Sequence, residues 1–395
     1  MPDPRGWKSE TIMRRYVVLR LGQIVLTYFL FLVLIYFLLE ALPGNFLGAL
    51  FGESRLTAAQ LDALGAQLGQ QGTPVERFLQ WMGGFLRGDL GISLSQYPRP
   101  VMEILAERAP RTLALFLAAT LLSFSLGFFA GKILAMRRGT ALETAATVGG
   151  ITLYTVFTPW FALWLLWIFA YALRLFPVGK FLTYEMWGAG APDANAVFGR
   201  MLLGGFTLAI VAWAILRRTD PLPPVHKRTA RIASIAAALL VFCGYWILTR
   251  QAVYVLDILY HMALPVLTLT LISFGGTMLL TRSSMLETMR EDYVLLARAK
   301  GLSESEVRDR HIARGALLPV VTTLVFSLAF AVGGGVITES IFSWEGMGYT
   351  LMEAVTLSDV PLAVGAMAFT GLLVLAAHLA ADLLYAYLDP RIRYG

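Results

Sequence analysis

The sequence predicts an all-α, polytopic membrane protein, and three observations carry that prediction. Of its 395 residues, 57% are hydrophobic and 15% charged, whereas about a quarter of a soluble globule is charged. Apolar runs recur near the roughly 20 residues that a helix rising 1.5 Å per residue needs to cross about 30 Å of hydrocarbon. Lys and Arg collect in alternate connections between those runs, as a positive-inside topology requires. The solvent dictates helices, since an open strand edge would leave backbone groups unsatisfied in lipid. A net charge of +6 scattered between apolar runs does not make the basic face that nucleic acid needs. The single Cys243 excludes an internal disulfide framework and a cysteine metal cluster.

Taken in order, residues 1–16 form a basic cytoplasmic N-terminus, with Arg14 and Arg15 leading to Arg20. Residues 17–39 make the first span. Its apolar run, Leu21 to Leu39, exceeds a signal-peptide core and is followed by "EALPGN", which lacks a small-x-small cleavage pattern, so it should persist as an anchor. Residues 40–110 are too polar to cross and read as an extracytoplasmic segment of amphipathic helices. Thr57 is placed to cap "AAQLDALGAQL", and "VERFLQWMGGFLRG" sets Val75, Phe78, Leu79 and Met82 on one face. Gly88 and Gly91 then mark a turn.

The membrane core extends over 111–388, with further spans at 111–135, 142–175, 262–285, 316–343 and 362–388. Pro159 should kink the 142–175 run. An insert over about 180–255 adds two shorter candidates, 197–216 and 230–248. Six and eight crossings share the same parity. Only eight keep "RRTDPLPPVHKRTAR" (Arg217 to Arg231) on the side of "MRRG" (Arg137, Arg138) and the tail 389–395. Six core spans plus two, with both termini cytoplasmic, is the expected architecture.

One polar segment interrupts this pattern. Over about 286–315, Glu287, Glu291, Asp292, Glu304, Glu306 and Asp309 are matched by Arg290, Arg298, Lys300, Arg308, Arg310 and Arg314. Topology alone would need only positive charge, whereas both signs suit a docking surface in which charge pairs set register and partner choice; a solvated hairpin is the alternative. The local grammar is helix, turn, helix. Gly301 follows a helix as a C′ residue, and Ser303 with Glu306 reads as a capping box. Val307, His311 and Ile312 fall to one side, and Gly315 and Pro319 mark a turn into the next span.

The stretch "DYVLLARAKGLSESEVRDRHIARGALLPVVT" resembles the cytoplasmic loop of permease subunits in binding-protein-dependent ABC importers, specifically the dipeptide, oligopeptide and nickel branch. "RRYVVLRLGQIVLTYFLFLVLIYFLLEALPGN", "FLRGDLGISL", "LTRSSMLETMREDYV", "ESIFSWEGMGYTLMEAV" and "DLLYAYLDPRIRYG" carry the same resemblance in the same order. It covers nearly all of the chain except about 180–255. It implies a type I importer permease bundle in the bacterial cytoplasmic (inner) membrane that forms half of a pore. The implied partners are a second homologous permease, two ATP-binding cassette ATPases that hold ATP and Mg, an extracytoplasmic substrate-binding protein and membrane lipid.

The resemblance also implies that 286–315 holds the helix that couples to the ATPase. Ala297, Ala299 and Gly301 then occupy small-residue positions and Pro319 the terminal proline, with Arg298, Lys300, Glu304, Arg308, Arg310 and His311 completing the coupling surface. For gating it points to Glu339, weighed against simple interfacial solvation. Gly333, Gly334 and Gly335 serve close helix approach or a hinge, and a kink at Pro159 beside the pore completes the gate candidates. Two departures stand out: Glu345 in "WEGMG" replaces the family's usual Pro, which alters the stiffness expected of the outer mouth, and the insert adds two spans.

No G-x-x-x-x-G-K-[ST] motif occurs, so nucleotide chemistry must come from other chains, and no cofactor is expected in this one. Neither a catalytic constellation nor metal-ligand spacing is present: His226 reads as a loop residue, His261 as interfacial, and Lys132 as snorkelling from the end of its span. His378 and Asp382, four apart on the last span, should face the same side and read as a structural hydrogen-bonded pair; the competing reading is a proton-coupled secondary transporter that uses them as a relay. Peptide is the cargo class the resemblance implies, with nickel or another small solute left open.

Overall fold

A computed structural model describes residues 4–41, 73–188, 190–220, 224–331 and 333–388. Thr57, the helix it was expected to cap and the tail 389–395 lie outside the described residues. Helix α1 is Pro4–Glu40, α2 Pro74–Phe85, α3 Val101–Met136 and α4 Ala141–Thr155. Helix α5, Thr158–Leu165, continues into a π-helical stretch, Leu166–Ala172. Helices α6, Ala194–Thr219, and α7, Pro224–Leu248, precede α8, Ala252–Thr288. Next come α9, Asp292–Ala299, the single turn α10, Glu304–Glu306, a π-helical turn, Val307–Ile312, and α11, Ala313–Ala331. Helices α12, Val336–Ile341, α13, Met347–Thr356, and α14, Val360–Leu388, complete the order.

Seven of these helical segments are long and apolar enough to cross a membrane, and the bent pair α4–α5 makes an eighth if it counts as one span. Both helices of the insert are among the seven. The kink expected at Pro159 is larger and earlier: α4 ends at Val156, which is extended, and α5 leaves at 105°. Pro159 sits in the first turn of α5, where its missing N–H has no helical acceptor to lose. Helix α3 starts ten residues before the expected 111.

The chain clusters into two compact units, Met1–Phe161 with Thr268–Ser340 and Glu345–Gly395, and Ala162–Leu267 with Ile341–Trp344. In the first, α14 packs against α1, α3, α11 and α13. Thr73 caps α2 through a reciprocal box with Glu76. Helix α2 buries Phe78 and half-buries Trp81, Met82 and Phe85 beside Tyr36 and Phe37 of α1. Val75 and Leu79 are exposed, a correction to the face read from the sequence. The helix turns its aromatic stripe inward because three aromatics bury more area than two aliphatics.

Close approach of α8 to α3 and α4 organises the rest of this unit. A Cβ on Gly131 would lie 2.6 Å from the Met278 carbonyl oxygen, and one on Gly127 2.7 Å from Thr277 Cβ. On the other face of α8, a Cβ on Gly275 would collide with the Gly150 carbonyl. Arg282 of α8 adds an ion pair to Glu143 near the start of α4.

In the second unit, α6 and α7 form a hairpin, with Gly204 admitting the Phe242 ring. At its tip Arg231 donates to Thr219 (2.9 Å), the Leu216 carbonyl (3.2 Å) and Asp220 (2.7 Å), and Lys227 also pairs with Asp220. These cations, Lys227 foremost, hold the Asp220 carboxyl below its usual range. His226 lies in the first turn of α7 and not in a loop. His261 is buried: its Nδ1 lies 2.9 Å from the Asp257 carbonyl and 3.5 Å from the carboxylate. Asp257 accepts from the Thr183 amide and hydroxyl and from Trp187 Nε1, which ties the preceding loop to α8.

The glycine contacts predict a specific contrast. Gly275→Ala and Gly131→Ala each press a methyl onto a neighbouring backbone and should destabilise the protein by about 1–3 kcal/mol. Gly149→Ala, which meets open space, should be neutral or slightly stabilising. Thermal unfolding in detergent distinguishes the three.

Candidate functional site

The polar segment folds into an elbow with a dry interior. Helix α9 ends at Lys300, and Gly301 takes φ +76°, a conformation available to glycine without a Cβ clash. The Ser303 hydroxyl accepts from the Glu306 amide, and the Glu306 carboxylate accepts from the Ser303 amide, completing the box. The π-helical turn places residues five apart on one side, so Val307 and Ile312 both point inward. They pack with Val294, Ala297, Ala313, Ala316, Met285 of α8 and Ala135 of α3. Ala297 is therefore small because the elbow's own interior requires it, which departs from its expected place on the docking face.

The face left open includes Leu295, Leu296, Ala299, Lys300, Gly301 and Leu302, with Leu295 69% exposed. Arg298 pairs with Glu304 across the turn at 3.1 Å, and Arg308 pairs with Asp309. Arg310 is exposed and His311 half-buried. Lys132 does not snorkel freely: its Nζ lies 3.1 Å from Asp309, joining α3 to the elbow. Gly315 and Pro319 do not mark a turn, because the helix continues through both. At Gly315 a Cβ would strike the Tyr293 hydroxyl at 2.5 Å and Thr288 at 2.9 Å, so this glycine lets α11 pass beside the start of α9.

A second constellation occupies the opposite end of the first unit, about 30 Å along α3 from Lys132 at 1.5 Å per residue. Helix α11 stops at Ala331, and Gly333–Gly335 break the run expected to continue to 343; Gly334 has φ +68°. The same glycines also permit close approach, since Cβ atoms on Gly334 and Gly335 would lie 2.8 Å from Thr112 and Phe116 of α3. Glu339, on α12 beyond this break, is fully buried, not solvated at an interface. Its Oε1 accepts from the Thr112 hydroxyl (2.7 Å), and its Oε2 from the amides of Gly348 (2.8 Å) and Tyr349 (3.0 Å). Thr112 in turn accepts from the Met347 amide at 2.7 Å. A carboxylate thus sits on the N-terminus of α13, where free amides and the helix dipole favour an anion. Gly346 leaves room for it: a Cβ there would strike Thr112 and Glu339.

Beside it, Glu345 Oε2 accepts from Arg108 (2.5 Å) and Arg111 (2.9 Å), and its carbonyl lies 3.3 Å from both. The sequence reading singled out Glu345 but missed Arg108, Arg111 and Thr112, although "RAPRT" opening an apolar run is a visible anomaly. The last-span pair is not formed. His378 bonds the Val374 carbonyl and meets the Phe330 ring edge-on, while Asp382 pairs with Arg20 of α1 at 2.6 Å. Residues i and i+4 share a helix face, but here each side chain is claimed by a different partner. Among the described residues no His, Cys, Asp and Glu cluster could hold a metal.

The chain thus carries a polar elbow on long apolar helices and a buried charge network at the far end of α3. Residues 229–394 match the model of the binding-protein-dependent transport system inner membrane component. A putative peptide permease protein of Brucella suis is 32% identical over 362 residues, 91% of this chain and 93% of that one. The dipeptide transport system permease protein of Escherichia coli K12 is 28% identical over 97% of this chain and 99% of its own length. The oligopeptide transport system permease protein of Bacillus subtilis is 25% identical over 92% and 94%. The chain belongs to the family of binding-protein-dependent transport system inner membrane components, as a multi-pass permease.

The Thr112 network makes a measurable demand. Thr112→Val keeps the shape and leaves Glu339 and the Met347 amide each short of a partner, which should cost about 1–3 kcal/mol. Thr207→Val, whose hydroxyl bonds only carbonyls of its own helix, should change the unfolding temperature little.

Proposed function

We propose that this chain forms half of the translocation pore of an ATP-driven peptide importer, with the elbow seated in a cytoplasmic ATPase. The elbow supports this reading best. Its outward face combines exposed leucines with both signs of charge, and its buried face is fused to α3 and α8. A partner gripping the tip therefore moves two long helices together. Peptide as the cargo class follows the names of the relatives, and receptor delivery follows the family description. In this reading a second permease completes the pore, two ATPases bind ATP and Mg, and a substrate-binding protein presents cargo on the outer side. The termini and the elbow lie in the cytoplasm, as the distribution of Lys and Arg requires. ATP favours the closed ATPase dimer, which binds one permease conformation better and shifts the population toward it.

The test uses the co-expressed complex in proteoliposomes with its receptor and a labelled tripeptide. Leu295→Asp with Leu302→Asp alters only exposed side chains, so insertion should persist while ATP-driven uptake falls at least tenfold. Undiminished uptake would remove the elbow from the coupling step. His378→Ala should leave ATP-driven uptake within about twofold of wild type. Uptake that follows a proton gradient without the ATPases would favour the secondary-transporter reading.

A further inference from the structure

Arg108 and Arg111 lie three apart on α3, so they share a helix face, and their side chains are only 13% and 6% exposed. Both converge on one oxygen of Glu345. Burial of Arg108, with little water to screen it, makes loss of that carboxylate costly unless another anion takes its place. A replacement is close by. Glu353 lies on α13, which packs against α3, and its Oε2 is buried without a hydrogen-bond partner, as is the Nε of Arg108, whose charge it feels.

The backbone around this cluster is divided into blocks. Glu339 of α12 accepts amides at the start of α13, so α12 and α13 are tied together. The Gly333–Gly335 break separates that block from α11. Its polar ties to α3 run through Thr112, Arg108 and Arg111. Helix α3 enters the elbow at its other end through Lys132 and Ala135.

We propose that Arg108, Arg111 and Glu345 form an electrostatic clasp closing this end of the pore, and that opening transfers Arg108 from Glu345 to Glu353. The proposal rests on the importer reading above and adds to it the pair of states between which ATP chooses. Competition between two carboxylates for the Arg108 guanidinium makes the element bistable. Each state pairs this buried cation, and the path between them does not.

The two carboxylates should therefore act in opposite directions. In a Cys243→Ser background, Ser340→Cys replaces a hydroxyl whose oxygen is buried, so its labelling by a membrane-impermeant maleimide reads opening directly. In the co-expressed complex, Glu345→Gln should raise the labelling rate at least tenfold without ATP. Glu353→Gln should leave the resting rate low and suppress the rise on adding ATP and Mg. The charge swap Arg108→Glu with Glu345→Arg should label at the wild-type rate. The clasp is overturned if Glu345→Gln and Glu353→Gln shift labelling in the same direction, or if neither shifts it. Should Glu345→Gln fail to assemble, a swap variant that labels tenfold faster than wild type overturns it equally. If ATP does not alter wild-type labelling while the two variants still diverge, the importer reading fails and the clasp stands.

Discussion

The structure depends on how closely α8 can approach its neighbours. Between membrane helices the lipid is as apolar as the side chains, so association rests on dispersion and close backbone contact, not on expulsion of water. Gly127 and Gly131 on α3, and Gly150 and Gly275 where α4 meets α8, supply that closeness. The first unit becomes a stack of α3, α8 and α4 in which neither outer helix can slide without steric cost. Both polar constellations are mounted on this stack: the elbow through Ala135, Met285 and Lys132, and the far network through Arg108, Arg111 and Thr112.

Much of this was legible in the chain, for physical reasons. Span number followed from the thickness of hydrocarbon and the sign of the charged connections, and both insert helices proved long and apolar enough to cross. The elbow's turn was readable because Gly301 and the Ser303–Glu306 box act within four residues. Features set by neighbours were not. Val75 and Leu79 satisfy a helical period as well as Trp81 and Phe85 do, and only the aromatic ring system of α1 selects between the two faces. His378 and Asp382 share a face, yet Arg20, 362 positions earlier in sequence, takes the aspartate. The π-helical turn at Val307–Ile312 changes the period locally, which is why Ile312 is buried while His311, read as its companion, is half-exposed.

The two glycine populations in this protein do different work, and the difference separates what must stay rigid from what can move. Gly131 and Gly275 sit inside regular helix with backbone pressed against them, so any displacement of α8 from α3 or α4 forfeits packing at once. Gly334, at φ +68°, sits where helix stops, and no i to i−4 ladder crosses it. In the proposed importer, a force applied at the elbow would act along α3 on a joint at the far end, where three glycines separate α12 and α13 from α11. The joint is restrained by packing of α13 on α14 and α3 and by a few short-range charge contacts in a dry setting, which are either made or lost. Rigid helices ending in a joint held by discrete electrostatic contacts convert a small movement into a choice between two states. In the proposed importer, alternating access asks the same of the pore.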